Sequence, residues 1–217
     1  MIKVLVVDDH DIVRTGISRM LQDVDDISVV AEANSGEQAL GYCREQVPHV
    51  VLMDVRMPGI GGMEATRKIQ SLCPGVKIIA LSAVAEEPFP TRLLEAGATG
   101  YVSKNASIDE IVTAVRQVHA GRRYLSSTIA QSIALKRFDS FDENPFDQLS
   151  QRELQISLMI ANCEKVTDIA EKLHVSPKTV NSYRYRVFEK LEINGDVELT
   201  KLAIRYDMID SPKDLHG

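Results

Sequence analysis

Five short apolar runs alternate with helical patterns over residues 1–121, and this alternation restricts the fold more than any other feature. The runs are 3–7, 28–33, 50–54, 77–82 and 101–104. Between them, apolar residues recur every three or four positions, as on one face of a helix. The alternation predicts an α/β fold, with a five-stranded, doubly wound parallel sheet.

Four of these runs end on residues that do not suit a hydrophobic core. Asp8 and Asp9 follow the first run, Asp54 ends the third, Ser82 ends the fourth and Lys104 ends the fifth. Parallel strands bring their carboxyl ends to one edge of a sheet, where ligands bind in doubly wound folds. We therefore expect these side chains to converge on one site.

The chemistry of that edge is restricted by its three carboxylates, which would repel one another without a cation. Mg²⁺ prefers oxygen ligands and would relieve the repulsion. Asp54 could then act as a nucleophile towards phosphorus, with Mg²⁺ and Lys104 offsetting the charge on the phosphoryl oxygens. Ser82 could donate a hydrogen bond to a phosphoryl group on Asp54, and Tyr101, one strand over, could move in behind it.

Taken singly, each of these residues has an ordinary structural explanation. Paired aspartates often cap helices or lie in loops, an isolated lysine is usually solvated, a serine can simply end a strand, and a tyrosine is most often half-buried packing. Their joint placement on successive strand ends is what favours a functional site.

Charge and composition separate the two halves of the chain. Residues 1–121 carry 11 Lys and Arg against 16 Asp and Glu, whereas residues 150–217 carry 10 against 11. An acidic first half predicts that any nucleic-acid contact comes from a local basic surface in the second half. No apolar run approaches the roughly 18 residues of a membrane span, and three scattered cysteines predict free thiols in a reducing compartment.

The second half has a helical pattern throughout. Residues 122–145 read as a linker with a possible short helix over 126–138, and 146–211 as a small all-α domain of four helices. Ser150 with Glu153 forms a capping box, and Ser176-Pro177 is a strong helix start. The short helix after 166 and the helix from 177 to 191 fit a helix-turn-helix at about 166–185.

The helix over 177–191 carries four basic residues and one acid, which gives it a positive surface. Its outward residues could reach base edges and phosphates in a major groove. The candidate DNA contacts are Lys178, Thr179, Asn181, Ser182, Tyr185, Arg186 and Lys190. A solvated amphipathic helix is the alternative for this segment considered alone.

Residues 1–121 resemble the receiver domain of bacterial two-component response regulators, a flavodoxin-like fold with strand order 2-1-3-4-5. The resemblance rests on Asp-Asp at 8–9, Met-Asp-Val-Arg-Met-Pro-Gly at 53–59, Ser82, and Tyr-Val-Ser-Lys at 101–104. It implies that Asp54 accepts phosphate from a sensor histidine kinase and that Asp9, Asp54 and the Arg56 carbonyl bind Mg²⁺, with Asp8 assisting through water. It also places Ser82 and Tyr101 at the switch positions, whereas Pro88 and Pro90 predict a shorter fourth helix than usual.

Residues 146–209 resemble the LuxR-type DNA-binding domain, on Leu149-Ser-Gln-Arg-Glu153 and the run from Ser176 to Leu191. The combination defines the NarL/FixJ family, and the second half looks especially like the GacA/UvrY group. The resemblance implies a cytoplasmic bacterial transcription factor, not an enzyme, that dimerises on phosphorylation and binds double-stranded promoter DNA as an activator. Cys163 stands where this family usually has a helix-ending glycine.

Two other functions would use parts of the same pattern. A phosphotransferase or phosphatase would also use a nucleophilic aspartate and Mg²⁺, but no second acid–base group accompanies Asp54. A helix-turn-helix that binds protein or RNA is the other, and salt-dependent, sequence-specific duplex binding would distinguish it from a DNA-binding module.

Overall fold

A computed structural model describes residues 1–82, 89–136, 144–206 and 208–209, apart from the side chains at 89, 132, 133, 135 and 136. Pro88, on which part of the prediction for the fourth helix rests, lies outside these residues. The chain divides into two compact units, Met1–Ser140 and Phe141–Gly217.

The first unit is a parallel sheet with helices between its strands. The strands are β1 (Ile2–Val7), β2 (Ile27–Ala33), β3 (Val50–Asp54), β4 (Lys77–Ser82), β5 (Gly100–Ser103) and β6 (Tyr124–Leu125), in the order β2-β1-β3-β4-β5-β6. The helices are α1 (Asp11–Gln22), α2 (Gly36–Glu45), α3 (Gly61–Leu72), α4 (Phe89–Glu95), α5 (Ile108–His119) and α6 (Ser127–Lys136). The predicted α/β class and the order of the first five strands are confirmed.

The sixth strand was not predicted, and it lies within residues 122–145, which the sequence analysis assigned to a linker. Tyr124 N–H donates to the Thr99 carbonyl and Ser126 N–H to the Tyr101 carbonyl, both at 3.1 Å. These bonds add β6 to the outer edge of β5. A two-residue strand is too short to show the apolar alternation on which strand prediction depends.

The core of this unit lies on both faces of the sheet, which explains why its strands are apolar throughout. Alternate residues of a strand face opposite sides. On one face, Val4, Val6 and Leu52 pack with residues of α1 and α5. On the other, Leu5, Val51 and Met53 pack with residues of α2 and α3. The polar ends of the strands are therefore held on a rigid, double-sided support.

The second unit contains a 3₁₀ turn (Pro145–Gln148), α7 (Gln151–Ala161), α8 (Val166–Lys172), α9 (Pro177–Leu191) and α10 (Asp196–Arg205). The predicted capping box is present: Ser150 Oγ accepts from Glu153 N–H, and the Glu153 carboxylate accepts from Ser150 N–H. Ser176 Oγ accepts from Thr179 N–H, with Pro177 in the first turn of α9. The helix-turn-helix formed by α8 and α9 is confirmed.

Three helices of the second unit end on non-glycine residues in the left-handed region: Cys163 (φ 61°), His174 (φ 53°) and Glu192 (φ 53°). At Cys163, the residue's own N–H donates to Ile160 and the next N–H to Met159, which satisfies carbonyls at the end of α7. The turn is thus kept although Cys163 replaces the usual glycine. A side chain in this region costs energy that glycine does not pay.

Candidate functional site

The carboxyl ends of β1, β3 and β5 bring two buried aspartates and a lysine together. Asp8 is fully buried and Asp54 is 1% exposed. Lys104 Nζ lies 2.8 Å from Asp8 Oδ2 and 2.8 Å from Asp54 Oδ2. The backbone N–H of Lys104, just after β5, also donates to the carbonyl of Ser82, the last residue of β4, at 2.8 Å. This bond holds the lysine beside the end of β4. A single ammonium therefore bridges two carboxylates that would otherwise repel.

A metal ion could be held by the side-chain oxygen and nitrogen atoms at this edge. Asp8, Asp9, His10 and Asp54 each offer one ligand atom, and these atoms all lie within 4.8 Å of one another. Ligands of one ion have separations of this size, since metal–oxygen bonds are about 2.0–2.6 Å. The three carboxylates are the hard donors that Mg²⁺ prefers, so the residues present fit that ion.

Burial is the main influence on the ionisation of Asp54. Removal from water raises the pKa of Asp54, Lys104 lowers it and the neighbouring Asp8 raises it, and the net result is a pKa of about 7. The pKa of Lys104 is raised overall: burial lowers it, but its attraction to Asp54 and Asp8 outweighs the burial. A divalent cation would supply the positive charge that a fully ionised pocket needs.

Ser82 and Tyr101 are both buried beside this pocket. Ser82 is paired with Ser103 in the β4–β5 register, and Asp54 is paired with Leu81 one residue earlier. Tyr101 is fully buried and is one of the largest fully buried side chains. Arg56, the remaining predicted residue, donates its backbone N–H to Asp54 Oδ1 at 3.2 Å.

Gly62, which sequence reasoning did not single out, is required by a close approach to the pocket. A Cβ atom at this position would lie 1.9 Å from the Asp54 carbonyl oxygen. Its N–H donates to the Val55 carbonyl at 3.2 Å. The first turn of α3 thus packs directly on the backbone of Asp54. The sequence shows three nearby glycines but not which one needs space.

Two further residues hold the loops around the pocket. Arg14 Nη1 donates to the Asp8 carbonyl at 2.7 Å, and its Nε lies 3.3 Å from a Glu32 oxygen, so α1 is tied to the ends of β1 and β2. Glu37, in the first turn of α2, accepts the Ile60 N–H at 3.0 Å and so anchors the loop after β3. Neither residue belongs to a pattern that marks it in the sequence.

The predicted DNA-contact residues lie on α9, the second helix of the helix-turn-helix. Lys178, Ser182, Tyr185 and Arg186 are exposed, and Tyr185 is 66% exposed despite its aromatic ring. Thr179 and Asn181 are half-buried. The Arg186 guanidinium lies 5.7 Å from the Tyr183 ring centroid. The opposite side of the helix, including Val180 and Val187, is buried.

Lys190 differs from the other predicted contacts because its charge is already paired. Its Nζ lies 2.7 Å from Glu153 Oε2 on α7. The same oxygen accepts the Ser150 N–H of the capping box. Gln148 Nε2 also donates to the Lys190 carbonyl. Arg184, on the same helix, makes a bidentate pair with Asp196 at 2.8 and 2.6 Å. These two cations attach α9 to its neighbours.

Two family models match the chain, in the order that the fold indicates. Residues 4–116 match the response regulator receiver domain, and residues 147–203 match the bacterial regulatory proteins of the luxR family. Among the described residues, none of the helices is long and apolar enough to cross a membrane. The chain belongs to the response regulators with a LuxR-type DNA-binding domain, a class of transcription regulators and not an enzyme family.

Individual relatives place the chain more narrowly. It is 58% identical to the response regulator GacA of Pseudomonas protegens over 97% of this chain and 99% of that protein. It is 54% identical to the response regulator UvrY of Escherichia coli K12, over 97% of each chain. The fold is also that of RcsB from Salmonella enterica serovar Typhimurium bound to promoter rprA, with a TM-score of 0.71, 24% identity, and 93% of this chain and 98% of that chain covered.

Proposed function

We propose that a sensor histidine kinase phosphorylates this protein on Asp54 and that phosphorylation controls its binding to promoter DNA. The observation that carries the proposal is the burial of Asp54 within ligand distance of two more aspartates, with Lys104 at 2.8 Å. A carboxylate oxygen of Asp54 attacks the phosphorus of the donor, the new O–P bond replaces the P–N bond of phosphohistidine, and the donor imidazole leaves.

The residues around Asp54 have separate roles in this transfer. Asp9, Asp54 and the Arg56 carbonyl would hold Mg²⁺, with Asp8 acting through water. When bound, the ion offsets charge on the phosphoryl oxygens and lowers the repulsion among the carboxylates. Lys104, already 2.8 Å from Asp54, would contact a phosphoryl oxygen. Gly62 keeps the Asp54 backbone in place because no side chain intervenes.

Ser82 and Tyr101 would report phosphorylation to the rest of the receiver. The Ser82 hydroxyl donates a hydrogen bond to the phosphoryl group, and Tyr101 moves into the space that Ser82 leaves. Support comes from their positions on adjacent strands next to Asp54. Because the Ser82 hydroxyl makes this hydrogen bond only when Asp54 is phosphorylated, it would shift the receiver's equilibrium towards the phosphorylated conformation.

The second unit would bind double-stranded DNA through α9. Asn181, Ser182 and Tyr185 would read base edges, and Lys178 and Arg186 would contact phosphates. We propose that the phosphorylated protein acts as a dimer, because two copies of one helix-turn-helix match the two halves of an inverted-repeat site. The protein would act in the bacterial cytoplasm as an activator, and its own chemistry would be limited to phosphotransfer and slow loss of the phosphoryl group.

The test is phosphorylation of the full chain by acetyl phosphate with Mg²⁺, followed by intact-mass measurement. Wild type should gain one phosphoryl group, and Asp54→Asn should gain none. Asp109→Asn, which removes an exposed carboxylate from the start of α5, is the matched control and should label like wild type. Labelling of Asp54→Asn at the wild-type level would refute the assignment.

DNA control is tested separately with beryllofluoride as the phosphoryl mimic. Solution mass should shift to a dimer, and affinity for an inverted-repeat duplex should rise. Tighter binding to an RNA or a protein, with no salt-dependent duplex binding, would contradict the promoter-DNA proposal.

A further inference from the structure

His10 stands at the start of α1 without the role that this position usually has. The N-cap side chain normally accepts a hydrogen bond from the first turn of the helix, and Ser, Thr, Asp or Asn does this best. His10 occupies the N-cap of α1 with extended backbone angles and makes no side-chain cap bond. Its ring is thus not committed to the helix that it begins.

The ring is directed at the acidic pocket instead. Nδ1 of His10 lies 3.3 Å from Asp8 Oδ1 and 3.1 Å from Asp9 Oδ1, while the side chain stays 57% exposed. The His10 backbone N–H also donates to Asp8 Oδ1 at 2.9 Å, which fixes the residue next to the carboxylates. An imidazole nitrogen and three carboxylate oxygens therefore lie within 4.8 Å of one another.

The three carboxylates suit Mg²⁺, but the imidazole nitrogen of His10 adds a donor that Mg²⁺ does not need. Mg²⁺ takes oxygen ligands in a strict octahedron and keeps several waters. Imidazole is instead a ligand for Zn²⁺, Cu²⁺, Fe²⁺ and Ni²⁺, and affinity for nitrogen donors rises along the first-row divalent ions. One nitrogen beside three oxygens adds little to Mg²⁺ binding, but it adds a strong bond for an ion such as Co²⁺ or Zn²⁺.

We propose that His10 makes this pocket a binding site for divalent first-row transition ions, with its Nδ1 as a ligand that Mg²⁺ does not use. The pocket then has two modes that share carboxylates: an all-oxygen mode for Mg²⁺ and a mixed nitrogen–oxygen mode for Co²⁺ or Zn²⁺. The two ions compete, and His10 determines their relative affinities. The inference rests on the metal site of the proposed function.

The test compares Co²⁺ and Mg²⁺ binding by the full-length protein, measured by calorimetric titration without a phosphodonor. His10→Gln should weaken Co²⁺ by at least about tenfold, since even loss of a residue behind a metal ligand costs 10–100-fold. Its Mg²⁺ affinity should stay within about twofold of wild type, because that ion does not use the imidazole. Unchanged melting temperature would show that the exposed ring can be replaced without unfolding.

A spectroscopic measurement locates the ion. In protein labelled with ¹⁵N-histidine, Zn²⁺ should shift the Nδ1 resonance that His10→Gln lacks, and excess Mg²⁺ should reverse the shift. The shift should also disappear in Asp54→Asn, which separates this site from the surface pair His49 and His119, whose rings lie 5.0 Å apart.

The outcomes distinguish this inference from the function on which it rests. If Mg²⁺ binds but Co²⁺ affinity is the same in wild type and His10→Gln, His10 is not a ligand and the inference is wrong. If both ions weaken equally, His10 only shapes the loop, and the inference is again wrong. If neither ion binds the wild type, the metal site of the proposed function is itself overturned.

Discussion

Removing the charge of Lys190 should lower the stability of the second unit and leave the salt dependence of DNA binding almost unaltered. Removing the charge of Arg186 should instead change the salt dependence and leave the stability almost unaltered. Both residues are basic and lie on α9. Lys190 Nζ is 2.7 Å from Glu153 Oε2, and Glu153 is 5% exposed at its side chain. Among the described residues, no carboxylate pairs with Arg186, which stacks over Tyr183.

The size of each effect follows from these contacts. Each phosphate contact contributes about 0.9 to the slope of log K against log salt, so Arg186→Met should make the slope shallower by about 0.9. Between 50 and 200 mM salt, this lost sensitivity is about 3- to 4-fold in relative affinity. Lys190→Met should leave the slope unchanged, because a charge paired with Glu153 displaces no counterion. It should cost about 1 kcal/mol of stability, because Glu153 loses its cation but keeps the hydrogen bond from the Ser150 N–H.

The assay is fluorescence anisotropy of the full-length protein on a random-sequence duplex over that salt range, together with thermal unfolding of the second unit. Lys201→Met, which removes an exposed charge from α10, is the control and should alter neither quantity. A slope change of about 0.9 in Lys190→Met, without loss of stability, would refute the assignment of Lys190 to an internal pair and restore it as a phosphate contact.

Three further outcomes are expected. Gly62→Ala should slow labelling by acetyl phosphate by on the order of a hundredfold, because a Cβ 1.9 Å from the Asp54 carbonyl forces a shift of about 1 Å at the nucleophile. Equal labelling rates in the variant and wild type would contradict this. Cys163→Gly should stabilise the second unit by about 1 kcal/mol by relieving the left-handed conformation, seen as a rise in melting temperature of about 4–8 °C, and a fall would show that the thiol contributes more than the strain. Without Mg²⁺, the raised pKa of Asp54 means that its contribution to stability is present at low pH and is lost as pH rises through about 7; Asp54→Asn should therefore melt above wild type at pH 8, and the gap should narrow towards pH 5.

Apolar patterning and helix caps were sufficient to predict the α/β architecture and the helix-turn-helix. Ser150 with Glu153 and Ser176 with Pro177 each start a helix at the predicted residue. A cap of this kind involves residues within one helical turn of each other, so it can be recognised from the sequence alone. The edge strand β6 could not be found because its two residues pair with β5 through backbone bonds that no side-chain pattern records.

The site could be predicted only in part for a related reason. The sequence shows that Asp8, Asp54 and Lys104 end neighbouring strands, because strand ends are read from apolar runs. It does not show that Lys190 is paired, since Glu153 lies 37 positions away on another helix. Nor does it separate Gly62, which needs space, from Gly61, which has a φ of +68° and open space around it.

The pairing of β6 with β5 has a consequence for anyone who recombines the two halves of such a regulator. A splice after residue 121 would leave the outer edge of β5 with unpaired N–H and C=O groups, which invite association with other chains. It would also remove α6, whose Ile129 is fully buried in the first unit. A hybrid regulator with a different DNA-binding half should therefore be joined after Lys136, so that the receiver keeps both β6 on the edge of β5 and the buried side chain of Ile129.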